Sequence, residues 1–249
     1  MAPGGFLATA LRINRNSHAV AFTLPPKDGG HEVLLPANPD VSVKYLDITM
    51  LAADMGVTDI PAEHPDAGKF LPKHMEPGKT FDLIFCDGQV LRTHERAAYR
   101  EQREARILIL TQLALGLEHV SEDGSMVILL HKVEVLETVR LLITFSKFSK
   151  IQLFKSERSH AKRSFFYLVA TEIRPSHVEA VRAKVEWKKV WITATFGDDE
   201  ELKEIFKKDE VALHDLLQDF GQDLVRLGEP VWNVQADALQ DAPWIRGKK

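Results

Sequence analysis

Cysteine is nearly missing: Cys86 is the only one in 249 residues. No intramolecular disulfide can form, the usual cysteine-based zinc patterns are excluded, and a reducing intracellular setting, cytoplasmic or nuclear, is expected. No apolar run approaches the roughly 20 residues of a membrane span. The first residues also lack the charged-then-apolar order of a secretory signal, so no membrane partner is expected. Basic charge is not in excess either, with 32 Lys and Arg against 36 Asp and Glu and a net charge of -4. That balance excludes a surface holding nucleic acid by bulk electrostatics, and any RNA contact needs a local basic patch. Internal repeats and low-complexity tracts are absent.

What remains is ordinary material for a sizeable core, 45% hydrophobic and 27% charged. Runs of branched and aromatic residues predict strands at His18 to Leu24, Val41 to Leu46, Phe81 to Cys86, Met126 to Leu130, Ile151 to Phe154 and Phe165 to Ala170. Helical patterns lie between them at Phe6 to Ile13, about Arg96 to Val120, and Glu134 to Thr144. In the second of these, Ile107, Leu110, Ala114 and Leu117 share one face. Alternating strands and helices predict an α/β fold with a mostly parallel sheet and ligands at the carboxyl ends of its strands. The connection Lys155 to Ser164 is too short for a helical crossover, so the last two strands should pair antiparallel.

Two stretches depart from that rhythm. Pro61 to Thr80, rich in Pro, Gly, Lys and His, is expected to be a mobile surface loop. Beyond Pro175 the pattern is helical, Val178 to Thr195 and Glu200 to Leu227, broken at Gly197-Asp198-Asp199 and followed by an irregular tail from Gly228. The organisation expected is a sheet domain over 1–175 and a helical extension over 176–249. Trp187, Trp191, Phe196 and Phe206 of the extension either pack on the sheet domain or meet a protein partner.

Four short motifs carry the chemistry. Ala2-Pro3-Gly4-Gly5-Phe6 sets two glycines ahead of a helix, where a backbone can approach a ligand and free N–H groups favour a carboxylate. A glycine turn capping a helix is the plainer alternative. Phe81 to Cys86 is an apolar strand that ends in Asp87-Gly88. Gly124-Ser125-Met126-Val127-Ile128-Leu129 and the hairpin His160 to Val169 follow. In this order and spacing, from Ala2 to about Glu172, the chain resembles the FtsJ-like (RrmJ-type) methyltransferases. The resemblance implies a class I, Rossmann-like methyltransferase fold with an antiparallel last strand. It also implies S-adenosylmethionine as cofactor and, commonly in the family, transfer of the methyl to a ribose 2'-hydroxyl of RNA. In that fold a central strand precedes the glycine motif. The sequence does not contain it, and truncation of the reading frame is the expected reason, closure by neighbouring strands or a donated strand being the alternatives.

The resemblance extends residue by residue. It assigns Pro3, Gly4, Gly5 and Phe6 to the cofactor's methionine portion, and it puts Thr23 about where the family holds the ribose with an acid. Asp47-Ile48 matches the acid that meets the adenine amino group, while an Asp at a strand end also commonly caps a turn. Of the family's Lys-Asp-Lys-Glu tetrad, Asp87 matches the aspartate, the second lysine falls on Leu129, and the glutamate falls on Phe165. His131, on the face of Leu129, and Lys132 are the expected substitutes as proton acceptor. For Lys132 a solvated strand end is the competing reading. Arg92, His94, Arg158 and Lys162, with Lys155, His160 and Arg163, are expected to line the acceptor's entry, and Phe70 and Tyr99 to stack on a base. No metal site is expected. A small-molecule O-methyltransferase and a catalytically silent binding module are the other functions compatible with these residues.

Overall fold

The computed structural model describes residues 2–90, 96–210, 213–240 and 242, with backbone alone between 206 and 216. In chain order the elements are α1 (Gly5–Ile13), β1 (Ala19–Thr23), β2 (Val41–Tyr45), β3 (Phe81–Cys86), α2 (Glu104–His119), β4 (Val120–His131), α3 (Leu136–Ser146), β5 (Lys150–Phe154), β6 (Phe165–Ile173), α4 (Val178–Phe196), α5 (Asp199–Glu210) and α6 (Leu213–Gln240). Every expected strand and helix has a counterpart, but the single helix expected over Glu200 to Leu227 is described as two, α5 and α6, and the starts of α2 and β4 move by more than a few residues.

The chain divides into two compact units. One comprises Met1–Lys79, Asp87–Leu115 and Glu186–Asp198; the other comprises Thr80–Cys86, Gly116–Val185 and Asp199–Lys249. In the first, β1 and β2 pair parallel, from Ala19 opposite Val41 to Thr23 opposite Tyr45. The second holds a four-stranded sheet in the order β3-β4-β6-β5. There β3 and β4 run parallel, while β6 runs antiparallel to both β4 and β5. The expected antiparallel closing pair is therefore present. Among the described residues, no strand pairs with the second edge of β1 or of β3.

Burial follows the periods of the elements. Along β6 every second residue turns inward, with Phe166, Leu168 and Ala170 essentially inaccessible, as side-chain alternation requires. Met126 and Ile128 do the same along β4. On α2 the predicted face of Ile107, Leu110, Ala114 and Leu117 is buried. By contrast, α1 has no buried residue, and its Ile13 is 70% exposed.

Three expectations need correction. The helix expected from about Arg96 begins at Glu104, because Ala98–Arg100 forms a 3-10 turn whose Arg100 side chain is drawn into a buried polar cluster. The tail from Gly228 is not irregular: α6 continues through Gly228 and Pro230 to Gln240. Gly228 is tolerated there because the Trp232 ring lies over it, so close that a methyl group at 228 would stand 2.7 Å from the indole. Leu224 and Val231 form one buried stripe of α6, the helix packs against β5 and α3, and such packing offsets the hydrogen bond that Pro230 cannot donate.

The third correction concerns Pro61 to Thr80, which is irregular but not loose. The buried Asp54 carboxylate accepts from the backbone N–H groups of His74 and Met75, each at 2.9 Å. Lys44 Nζ donates to His74 O at 2.7 Å, and Leu71 N–H donates to Met50 O at 2.8 Å. Asp66 and Met75 are buried within the segment. Most of its other side chains are exposed, so the segment is a surface connection, as expected, but one pinned to the protein at these points.

Candidate functional site

In the first unit the glycine motif forms the start of α1. Gly4 is its N-cap at φ 110°, a left-handed conformation that side-chain-bearing residues resist, and its carbonyl accepts from Ala8 N–H at 2.9 Å. Gly4 is buried, whereas Pro3, Gly5 and Phe6 are exposed. The carbonyl of Pro3 accepts from Leu34 N–H at 2.9 Å, tying the motif to the segment after β1. Nothing lies within 4 Å of where a Cβ would stand on Gly5, so the backbone there faces open space.

The parallel β1–β2 pair brings two further expected residues to one carboxyl edge. Leu46 N–H donates to Thr23 O at 2.9 Å, which sets Asp47 immediately beyond that edge. The Thr23 side chain shares the inward face of Ala21 and is only 6% exposed. Asp47 is half-buried and caps the 3-10 turn Ile48–Met50: its Oδ1 accepts from Thr49 N–H at 2.9 Å and from Thr49 Oγ1 at 2.7 Å. Both bonds fall on Oδ1. Ile48, half-buried, opens the same turn.

Behind Asp47 lies a buried network that the residue pattern did not announce. Arg100 Nη2 donates to Thr49 Oγ1 at 2.7 Å and to Glu104 Oε1 at 3.1 Å. Arg100 Nε lies 2.7 Å from Glu104 Oε2 but off the line of its N–H, making that contact an ion pair. Arg100 Nη1 is 3.5 Å from Asp66 Oδ2. Tyr99 Oη donates to the same Asp66 oxygen, and Lys69 Nζ reaches Asp66 Oδ1 at 2.8 Å. Burial alone would raise the Asp66 pKa; the hydrogen bonds from Lys69 and Tyr99 and the charges of Lys69 and Arg100 outweigh it and hold the carboxyl below its usual range. Tyr99 is pushed in the opposite direction, first by burial and then by its bond to the Asp66 carboxylate.

Phe70 and Tyr99, the expected base-stacking pair, instead surround His64. Ring centroids are 5.2 Å from His64 to Phe70, 5.8 Å to Tyr99 and 5.2 Å to Phe196. His64 Nδ1 accepts from Asp66 N–H at 3.1 Å, and Nε2 faces Thr195 O at 3.1 Å. A carbonyl only accepts, so the ring proton sits on Nε2. Trp191 is fully buried and packs edge-on against Phe196.

Asp87 follows β3 by one residue and is half-buried. The chain just after it is clamped: Gly88 N–H donates to Gln112 Oε1 at 2.7 Å, and Gln112 Nε2 donates back to Gly88 O at 3.1 Å. A Cβ on residue 88 would stand 2.9 Å from that amide oxygen, so glycine is what admits the clamp.

In the second unit, Leu129 is buried and pairs with Tyr167, while His131 pairs with Phe165 at the end of the β4–β6 ladder. The His131 ring stands edge-on to Phe165 at 4.5 Å, and the His160 ring lies 5.7 Å from the same Phe165 ring. Lost solvation lowers the His131 pKa, which keeps the ring neutral at pH 7. Lys132 is exposed, at φ 50°, with its N–H bonded to Ser164 O at 3.1 Å. Lys132, Glu134 and Ser164 help to line a shallow cavity of about 320 Å³ whose other wall is Val231, Trp232 and Gln235 of α6.

Of the expected acceptor-binding residues, Arg158 and Lys162 are exposed on the β5–β6 connection. Lys155 is not on that rim. It is 7% exposed and donates to the carbonyls of Arg163 and Phe165 at 2.5 and 2.6 Å, and burial lowers its pKa. Arg92 and His94 lie outside the described residues. Among the described residues no helix is long and apolar enough to cross a membrane, and no cluster of three His, Cys, Asp or Glu side chains could hold a metal.

Reasoning from sequence missed Thr49, Asp54, His64, Asp66 and Gln112, which are scattered along the chain and carry no spacing signal. Only Arg100 and Glu104, four apart, had a legible relation.

No curated protein matches the chain. Among solved structures it is similar to a chain described as Alphavirus P23pro-zbd, at 12% identity and a TM-score of 0.35, over 72% of this chain and 25% of that one. The chain thus spans about a quarter of the length of that protein. The model of the FtsJ-like methyltransferase family matches residues 1–173, which include the glycine motif, Asp47, Asp87 and the β5–β6 hairpin. The chain belongs to the FtsJ-like methyltransferase family.

Proposed function

We propose that this protein is an S-adenosylmethionine-dependent O-methyltransferase whose acceptor is a ribose 2'-hydroxyl of RNA. The observation that carries the reading is the carboxyl edge of β1–β2, where Thr23 and Asp47 come together in a chain of this family. Functional groups in parallel α/β sheets collect at such edges.

The residues fit the cofactor. Asp47 has its Oδ2 without a partner among the described residues, an acceptor suited to an exocyclic amino group. Gly4 takes a backbone conformation that only glycine holds without strain, and the space over Gly5 is open. Pro3 and Phe6 flank them. At Thr23 the family's acid is replaced by a buried hydroxyl, so the hold on the ribose rests on fewer bonds. When bound, S-adenosylmethionine supplies the methyl group as an electrophile.

The chain's own tasks are to orient the acceptor and to take its proton. Asp87, fixed by the Gln112 clamp on Gly88, orients the acceptor hydroxyl. Leu129 cannot act where the family has a lysine, and the neutral His131 imidazole is the group on the same face able to accept a proton. Lys132 contributes positive charge beside it. Arg158 and Lys162 supply the local basic surface that the overall charge of -4 does not.

Calorimetry with S-adenosylhomocysteine and transfer of a labelled methyl group to RNA, followed by digestion to nucleosides, test the reading. The expected result is binding, with label in 2'-O-methylnucleosides. Asp87→Asn and His131→Ala should lose transfer and keep binding. Failure to bind overturns the function. Binding without transfer to RNA removes the RNA acceptor, and full turnover by His131→Ala removes the assigned base.

A further inference from the structure

We infer that Thr49 and Arg100 are positioning residues for Asp47: they lock its Oδ1 so that Oδ2 is presented to the amino group of an adenine ring. This rests on the cofactor reading just given and assigns what makes Asp47 selective. Asp47 spends one oxygen on the chain, accepting from both the N–H and the hydroxyl of Thr49 at 2.9 and 2.7 Å. Two bonds to one oxygen fix the plane of the carboxylate as well as its place. The Thr49 hydroxyl has a single proton, and its direction is set by what it accepts, the Arg100 Nη2 bond at 2.7 Å. Arg100 is in turn held by Glu104 on the first turn of α2 and by Asp66 of the 61–80 segment, with all three side chains under 10% exposed. A guanidinium between two buried carboxylates cannot release Thr49 without leaving charge unpaired.

The relay differs from a plain turn cap in its reach. A cap needs Asp47 Oδ1 and the Thr49 N–H only. The hydroxyl and the arginine behind it add nothing to the cap, but they remove the freedom of the carboxylate to rotate and offer both oxygens to water. Preorganised acceptors discriminate strongly against a ligand that lacks the matching donor, because the acceptor is then left unpaired.

The test compares S-adenosylhomocysteine with S-inosylhomocysteine, which carries a carbonyl where adenine carries the amino group, by calorimetry on the whole chain. The expected preference of the unaltered protein for the adenine compound is ~10-fold or more, in line with polar discrimination at prepared sites. Thr49→Val should bring that ratio close to one while changing affinity for the inosine compound little, and Thr49→Ser should restore it. If Thr49→Val does not fold, Arg100→Lys, which keeps the buried charge but not the fork, reads the same ratio. A ratio unchanged in Thr49→Val or Arg100→Lys overturns the inference and leaves the cofactor reading intact. Equal binding of both compounds by the unaltered protein also overturns it. Binding of neither compound overturns the cofactor reading itself.

Discussion

Phe165 stands edge-on to His131, with ring centroids 4.5 Å apart and planes at 86°, at the last pair of the β4–β6 ladder. The imidazole, at the carboxyl end of a parallel strand, stays exposed, yet the solvation it loses there lowers its pKa, with a measurable consequence. A histidine with a depressed pKa binds fewer protons when folded than when unfolded. Stability is therefore lost as pH falls below the ordinary value of about 6.5. Thermal unfolding of the unaltered protein and of His131→Gln should show a constant difference above pH 7.5. Between pH 6.5 and 5 the difference should shift in favour of the variant. Parallel curves across the whole range would remove the assigned burial effect.

Asp66 shifts stability in the same direction but in a lower pH window. Its carboxyl is held below the usual range, so its contribution is complete above about pH 4 and is lost as pH falls through the depressed value. Asp66→Asn leaves Arg100 with Glu104 alone and should cost about 3 kcal/mol at pH 7, the scale for breaking a buried ion pair. Urea unfolding at pH 7 and pH 3 checks both parts: the cost should be present at the first and much reduced at the second.

Two glycines should answer differently to the same substitution. A Cβ on Gly30 would stand 2.0 Å from the backbone oxygen of Leu24, just past the end of β1. Gly30→Ala must move that backbone and should destabilise by about 2 kcal/mol. A Cβ on Gly5 meets nothing within 4 Å, so Gly5→Ala should change stability by less than about 0.5 kcal/mol, helped by alanine's helix propensity. If the open space over Gly5 is where the cofactor lies, the same variant should weaken S-adenosylhomocysteine about tenfold. Melting curves and calorimetry separate the two effects.

The β5–β6 connection holds cations of two kinds. Lys155 closes it from within by donating to two carbonyls, and Lys155→Met should cost about 2 kcal/mol by leaving those acceptors unpaired. Arg158 and Lys162 point outward, and replacing both by Ala should instead flatten the salt dependence of RNA binding, by ~0.7 in slope for each single-strand phosphate that is no longer neutralised. An unchanged slope would take them out of the acceptor surface.

Much of this fold was legible because its periods are local. Alternation in Phe165 to Ile173, the three- and four-residue spacing in α2, and a ten-residue polar link between two short apolar runs are each settled within one element. The α6 tail was misjudged because Gly228 and Pro230 are helix breakers by propensity, whereas the Trp232 ring and the buried Leu224 and Val231 decide the outcome. The pinning of segment 61–80 was missed for the converse reason: its composition is that of a loop, and the carboxylates that pin it, Asp54 and Asp66, gain that role from partners far along the chain or across a turn.

From the sequence alone came the α/β order, the antiparallel close, the family motifs and the places of Asp47 and Asp87, since each depends on neighbours within a dozen residues. Only tertiary structure decided what those carboxylates can do. Asp47 meets Arg100 through Thr49, 51 residues apart in the chain at that link, and Gly88 meets Gln112 across 24. Hydrogen bonds of that separation leave no period in a sequence, because any residue of the right chemistry could supply them and only the packed chain selects which one does.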